Sequence, residues 1–350
     1  MSPRPPPDAY LRTLLLCLLA GGLCTLLGLP LGWLTGAFLA GAWLAHRRAA
    51  AVPALLRPAG LMVLGLGLGQ SFTAPVMAAV GAALPAILAG GVLSILGGAA
   101  VSPLWRRIAR SDARTAFFAA IPGGIMTMAV LAGRAGASVP AVTVAQSLRM
   151  GLVVLVYPPL IALMAAGAPA AGGFVAALPP VAWGGLVPLL LAGAAVAVAG
   201  ERLGIANAAM LAPCLLAMAL SGSGLLPSAV PRWLIDAAQV AMGASLGARL
   251  GRDGPGGAPR RLALASLASA AAIVLLLGVL GFALGLAAGL PPVAVVLGMA
   301  PGGMPEMAVT AKALDLAVPL VLGFHLVRAV LSNLLTGPLW RLVVALGLAR

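Results

Sequence analysis

The chain has 350 residues, 62% of them hydrophobic and only 8% charged, and its mean hydropathy is +1.12. A soluble domain carries about 25% charged residues, and surface-to-volume scaling leaves no way to hide this much apolar surface from water. The formal net charge of +14 is not a nucleic-acid footprint. The arginines stand in clusters between apolar runs (Arg47, Arg48 and Arg57; Arg106, Arg107, Arg110 and Arg114; Arg249, Arg252, Arg260 and Arg261). Cytoplasmic loops of membrane proteins are marked in this way. No aromatic residues interleave with them, and no helix-turn-helix or zinc-finger pattern accompanies them. The expected partner is the lipid bilayer, and direct binding of nucleic acid is not expected.

In chain order, residues 1–10 read as a cytoplasmic tail. Apolar runs follow at 11–28, 31–45, 55–69, 76–101, 115–133 and 139–166, which form a first membrane repeat over 11–166. A linker at 167–179 leads to a second repeat over 180–350, with runs at 180–199, 205–220, 233–248, 262–288, 293–313 and 318–345. The first run lacks a small-x-small cleavage site, so it reads as a retained helix. A bilayer core takes about 20 helical residues. Several runs are shorter, and short or Gly/Pro-interrupted runs are candidates for half-helices or re-entrant turns. Cys17, Cys24 and Cys214 all lie inside apolar runs and read as small buried hydrophobes.

The halves match each other. Residues 122–160 align on 301–339 without a gap, with about fifteen of roughly forty positions identical. Pro122, Gly123 and Gly124 fall on Pro301, Gly302 and Gly303; Val139-Pro140 falls on Val318-Pro319; Arg149 falls on Arg328. Weaker echoes place Gly65 and Gly69 on Gly243 and Gly247, and Gly28 on Gly204. Such self-similarity is the mark of duplication. Basic loops follow the second and fourth runs of the first half but the third run of the second half. The positive-inside rule then sets equivalent loops on opposite faces. The expectation is an all-α polytopic membrane protein of two inverted repeats, each with five crossings. The Pro-Gly-Gly segments are the candidates for broken or re-entrant pieces.

Polar residues within such runs are expensive and are functional candidates. Arg149 and Arg328 face either an anionic substrate or a carboxylate, or else serve as a structural salt bridge or a cap on broken-helix carbonyls. Gln146 and His325 each precede an arginine by three residues, on the same helix face. His325 is either a proton relay or a hydrogen-bonded core residue. Glu306, matched by Thr127, is the costliest residue to bury unless it is paired or protonated. It reads as a proton-coupling carboxylate, or as half of an ion pair with Arg328 or Lys312. Lys312 and Asp315 read as a structural i to i+3 pair, and Asn207 and Asn333 as secondary lining residues. Two Pro-Gly-Gly turns meeting at the midplane would present helix N-termini to anions and free carbonyls to cations.

The block from Pro122 to Arg149, and its second copy from Pro301 to Arg328, resembles the AbrB family of bacterial membrane proteins, which carries the same tandem duplication. Ala137-Ser138 departs from that pattern, where an acidic residue is expected. The labels that go with the family are ammonia monooxygenase, regulator of gene expression and transporter. The resemblance implies the inner membrane of a bacterium, and the topology read from the charges is taken with both termini cytoplasmic. An oxygenase needs several His or carboxylate ligands, and His46 and His325 are the only histidines, so neither a metal nor another cofactor is expected. The expectation is secondary transport of a small solute or ion, proton-coupled through Glu306, by a non-enzyme open to homo-oligomer formation. The alternative is a membrane-embedded regulator acting through a partner or a sensed metabolite.

Overall fold

The structure is a computed structural model that describes residues 7–47, 49–166, 172–174, 178–205, 207–253 and 259–347. Residues 1–6 of the expected tail, Arg48, most of the linker at 167–179 and the side chain of Arg252 lie outside the described residues. Every regular element among the described residues is helical. The first half forms α1 (Pro7–Leu26), α2 (Gly32–His46), α3 (Leu56–Gly69), α4 (Ala74–Ala82), α5 (Leu84–Ala109), α6 (Ala113–Ala120), α7 (Ile125–Arg134) and α8 (Val139–Ala165). The second forms α9 (Trp183–Arg202), α10 (Ala208–Gly222), α11 (Arg232–Asp253), α12 (Arg260–Ala287), α13 (Pro292–Met299), α14 (Met304–Ala313) and α15 (Val318–Ala345).

Among the described residues six helices are long and apolar enough to cross a bilayer, α1, α5 and α8 from the first half and α9, α12 and α15 from the second, or seven if the bent α3–α4 pair is one span. Leucines of α1 such as Leu19 and Leu26 are exposed, as lipid-facing side chains must be. The chain is an all-α polytopic membrane protein. α2, α3 and α10, at 14 or 15 residues, reach only about 22 Å at a rise of about 1.5 Å per residue, short of the roughly 30 Å core. The expected run at 76–101 is two helices, since α4 ends at Ala82 and α5 starts afresh at Leu84; α4 is itself bent by 89° from α3 across a short break. The expected tail also ends sooner, since α1 begins at Pro7.

The helices fall into two compact units. One holds α1–α4, α9–α11 and the end of α14; the other holds α5–α8, α12, α13, the start of α14 and α15. Each unit therefore draws on both halves of the sequence.

Within the first unit, glycines key the helices together. A methyl group at Gly65 would lie 2.3 Å from the Met210 carbonyl oxygen, and one at Gly69 would lie 2.2 Å from that of Cys214, so α3 meets α10 backbone to backbone. The matched glycines do the same between α11 and α2: Gly243 against Leu34 O at 2.3 Å and Gly247 against Phe38 O at 2.2 Å. Small residues allow this approach, which drives packing where lipid removes the hydrophobic contrast.

Left-handed backbone positions also come in register. Gly28 (φ 70°) pairs with Gly204 (φ 71°), Leu31 (56°) with Asn207 (55°), Arg110 (53°) with Gly289 (63°), and Gly136 (74°) with Asp315 (49°). In the last two pairs one copy uses glycine, which tolerates this region freely, and the other bears the strain of a side chain there.

Candidate functional site

The site lies in the second unit, where two helices are broken. α6 ends at Ala120 and α7 starts at Ile125; α13 ends at Met299 and α14 starts at Met304. The intervening Ile121–Gly124 and Ala300–Gly303 hold the two Pro-Gly-Gly turns. The break follows from the sequence, since proline removes a donor and glycine weakens the helix. It leaves the last carbonyls of α6 and α13 without helical partners inside an apolar protein.

α8 supplies the partners at the first break. Gln146 Nε2 donates to the carbonyls of Phe118 (2.9 Å), Ala119 (3.3 Å) and Ile121 (3.0 Å). Arg149 Nη1 donates to Ile121 O at 3.0 Å and Nη2 to Gly123 O at 3.2 Å. α15 does the same at the second break. Arg328 Nη1 donates to Ala300 O and Nη2 to Gly302 O, the latter at 2.8 Å. His325 Nε2 lies 3.2 Å from Leu297 O, and its Nδ1 lies 3.0 Å from Arg328 Nη2. A carbonyl only accepts and a guanidinium only donates. Nε2 therefore carries the imidazole proton, and Nδ1 receives one from the arginine. Gln146, Arg149, His325 and Arg328 are all buried.

The two breaks also meet the opposite long helix. Methyl groups at Gly302 and Gly303 would strike Val153 and Met150 of α8 at 2.7 and 2.6 Å. Ser332 of α15 donates to Pro122 O at 3.3 Å. Val153 and Ser332 are matched positions, so each long helix caps its own break and braces the other. One turn beyond them, Tyr157 and Thr336 are also matched. Both are fully buried, and their hydroxyls make no hydrogen bond.

Glu306 and Thr127 are the third residues of α14 and α7. Glu306 is 2% exposed, and its Oε2 would lie 2.1 Å from a methyl group at Gly303. The carboxylate therefore curls back over the start of its own helix. Such a residue commonly satisfies the exposed N–H groups there. Thr127 is half-buried, with Oγ1 3.5 Å from where a Gly124 methyl would stand.

The expected Lys312–Asp315 pair is replaced by another contact: Lys312 Nζ donates to Gly67 O at 2.7 Å, near the C-terminal end of α3, while Asp315 is exposed. A cleft of ≈ 130 Å³ in the first unit is lined by Ser71, Lys312, Asp315 and Pro319 among others, and contains none of the predicted site residues. Among the described residues no three His, Cys, Asp or Glu side chains converge. Tyr157 and Gln70 escaped the sequence reading. Gln70 is buried and takes a hydrogen bond from Val230 N at 2.9 Å. The available signal is a lone polar tip inside an apolar run for Tyr157, and one directly after a run for Gln70.

Two broken helices, each capped by a long neighbour, mark this as a polytopic helical membrane protein with paired interrupted segments. A family model described as "Transition state regulatory protein AbrB" matches residues 7–344. The chain belongs to the AbrB family. It is 27% identical to YhjN of Bacillus subtilis (strain 168) over 93% of this chain and 90% of that one. It is 29% identical to a protein of Escherichia coli (strain K12) named as a regulator, AbrB, over 79% of each.

Proposed function

We propose that this chain is a secondary transporter of a small solute in a bacterial inner membrane, coupled to protons through Glu306 and built from two inverted repeats. The observation that carries the reading is the pair of broken helices whose turn carbonyls are held by buried side chains of the neighbouring long helices. Irregular backbone at membrane depth is tolerated only where protein buries it or a cavity needs it, and transporters use such turns to bring helix ends to a midplane site. A structural role alone would be met by continuous helices, without four buried polar caps. Inversion is supported by the exchanged positions of the basic loops, and it would set both termini in the cytoplasm.

Glu306 suits proton coupling because a buried carboxyl at a helix start exchanges a proton with little change in packing. The test is solute flux in proteoliposomes under an imposed pH gradient. Glu306→Gln is expected to abolish gradient-driven flux while leaving the fold intact, and undiminished flux would remove Glu306 from the mechanism. A second reading, a membrane-embedded regulator, is favoured by the family description and by the name of the Escherichia coli relative. It predicts a partner captured by crosslinking, and no flux of any solute. Cysteine labelling tests the inversion: reagents confined to the periplasm should reach Ser71 but not Ser111.

A further inference from the structure

The two breaks differ most at the third residue of the helix that leaves each of them. At α14 that residue is Glu306, whose carboxylate lies over the helix start. At α7 it is the neutral Thr127, and the N-cap is Gly124, which has no side chain to cap with. A helix N-terminus gathers unpaired N–H groups and the positive end of the dipole, and it favours an anion. We infer that the first turn of α7 is an anion-binding subsite, and that the solute carries a carboxylate- or phosphate-type group held where Glu306 provides the chain's own anion in the other copy. This rests on the transporter reading and adds its substrate class.

Buried donors supply the independent ground. Arg149 is 4% exposed. Its terminal nitrogens are held by the uncharged carbonyls of Ile121 and Gly123, directly before the Gly124 cap of α7, and its Nε–H has no acceptor. Tyr157, 0% exposed, offers a second buried donor, a hydroxyl without an acceptor, and lies within electrostatic reach of Arg328. Arg328 in turn lies within reach of Arg149. Buried donors are nearly always paired, and an oxyanion brings several acceptor oxygens at once. The buried charges point the same way: among the described residues they are Arg149 and Arg328 against Glu306, and low-dielectric surroundings penalise an excess of one sign. At the first break Gly124 and Met126 are exposed.

The test uses the purified full chain in detergent, with thermal unfolding as readout. The probes are acetate, succinate, citrate, inorganic phosphate and sulfate, set against choline, putrescine, glucose and short-chain phosphatidylglycerol. At least one soluble anion is expected to raise the Tm. Thr127→Glu, which copies Glu306 into the first break, is expected to raise the ligand-free Tm by about 2–4 °C and to erase the anion shift. Thr127→Gln should retain that shift. Glu306→Thr, the reverse copy, should raise bound anion from one to two per chain in equilibrium dialysis, which keeps the question decidable if Thr127→Glu does not fold. The inference is overturned by an anion shift that survives Thr127→Glu, by stoichiometry unchanged in Glu306→Thr, by shifts from the lipid, cations or glucose alone, or by none at all. Flux of a cation or neutral solute in proteoliposomes would keep the transporter reading and remove this one. Anion binding lost in Thr127→Glu, without flux of any solute, would do the reverse.

Discussion

At the first break, Gln146 and Arg149 hold the carbonyls of Phe118, Ala119, Ile121 and Gly123; at the second, His325 and Arg328 hold those of Leu297, Ala300 and Gly302. The capping of helix ends is thus kept in both copies, by different residue types. The acid at the start of the following helix is present in one copy only. What the scaffold needs is found twice, and what differs between the breaks is chemistry at a single turn.

This comparison can be broken at several points. The largest effect is expected from Arg328→Leu, which strands two buried carbonyls and a histidine and should cost about 3–5 kcal/mol, read by denaturant unfolding in detergent. Arg149→Leu should cost somewhat less, about 2–4 kcal/mol, because Gln146 still serves Ile121. The opposite ranking would mean that the first break, not the second, is the more tightly built. Gly303→Ala displaces the flexible ends of the Glu306 and Met150 side chains and should cost about 1–2 kcal/mol. Gly124→Ala meets only ordinary contact at Thr127 and should be far milder. Gly136→Ala places a side chain at φ 74° and 2.9 Å from Arg114 Nη1, for about 1–2 kcal/mol.

The smallest effect concerns how the broken helices begin. Asp112 caps α6 by accepting from Thr115 N at 2.8 Å, whereas Pro291 precedes α13 with no side-chain cap. Partial burial pushes the Asp112 carboxyl up, but hydrogen bonds from Thr115 and Ser111 outweigh it and hold the carboxyl below its ordinary range. Asp112→Ala should cost about 1 kcal/mol. A depressed pKa stabilises above the unfolded value of about 4 and loses that contribution as pH falls through the folded one. The difference between wild type and Asp112→Ala should therefore be full at pH 7 and shrink below about pH 4.

Much of this architecture was legible in residue order. Runs of apolar residues gave most helices to within a few positions, because lipid rewards nothing else. The i to i+3 spacing of Gln146 with Arg149, and of His325 with Arg328, placed each pair on one face, and the proline and glycines located the breaks. Left undecided was what those pairs would face. A guanidinium satisfied by carbonyls and one awaiting a carboxylate look alike in a sequence, since backbone acceptors leave no trace in residue identity. For the same reason the Gly67 carbonyl that receives Lys312 was invisible. The interleaving of the halves was hidden too, because spacing along a chain does not say which distant helix a glycine will touch.

That interleaving bears on how the protein is made. Gly65 and Gly69 of α3 close onto Met210 and Cys214, while Leu34 and Phe38 of α2 wait for Gly243 and Gly247. No such contact can form while the ribosome is still translating the first half. α2 and α3 are therefore made with these faces uncovered, and stay so until a stretch more than a hundred residues downstream has been synthesised. Assembly is in effect a dimerisation of two half-chains that happen to be covalently joined.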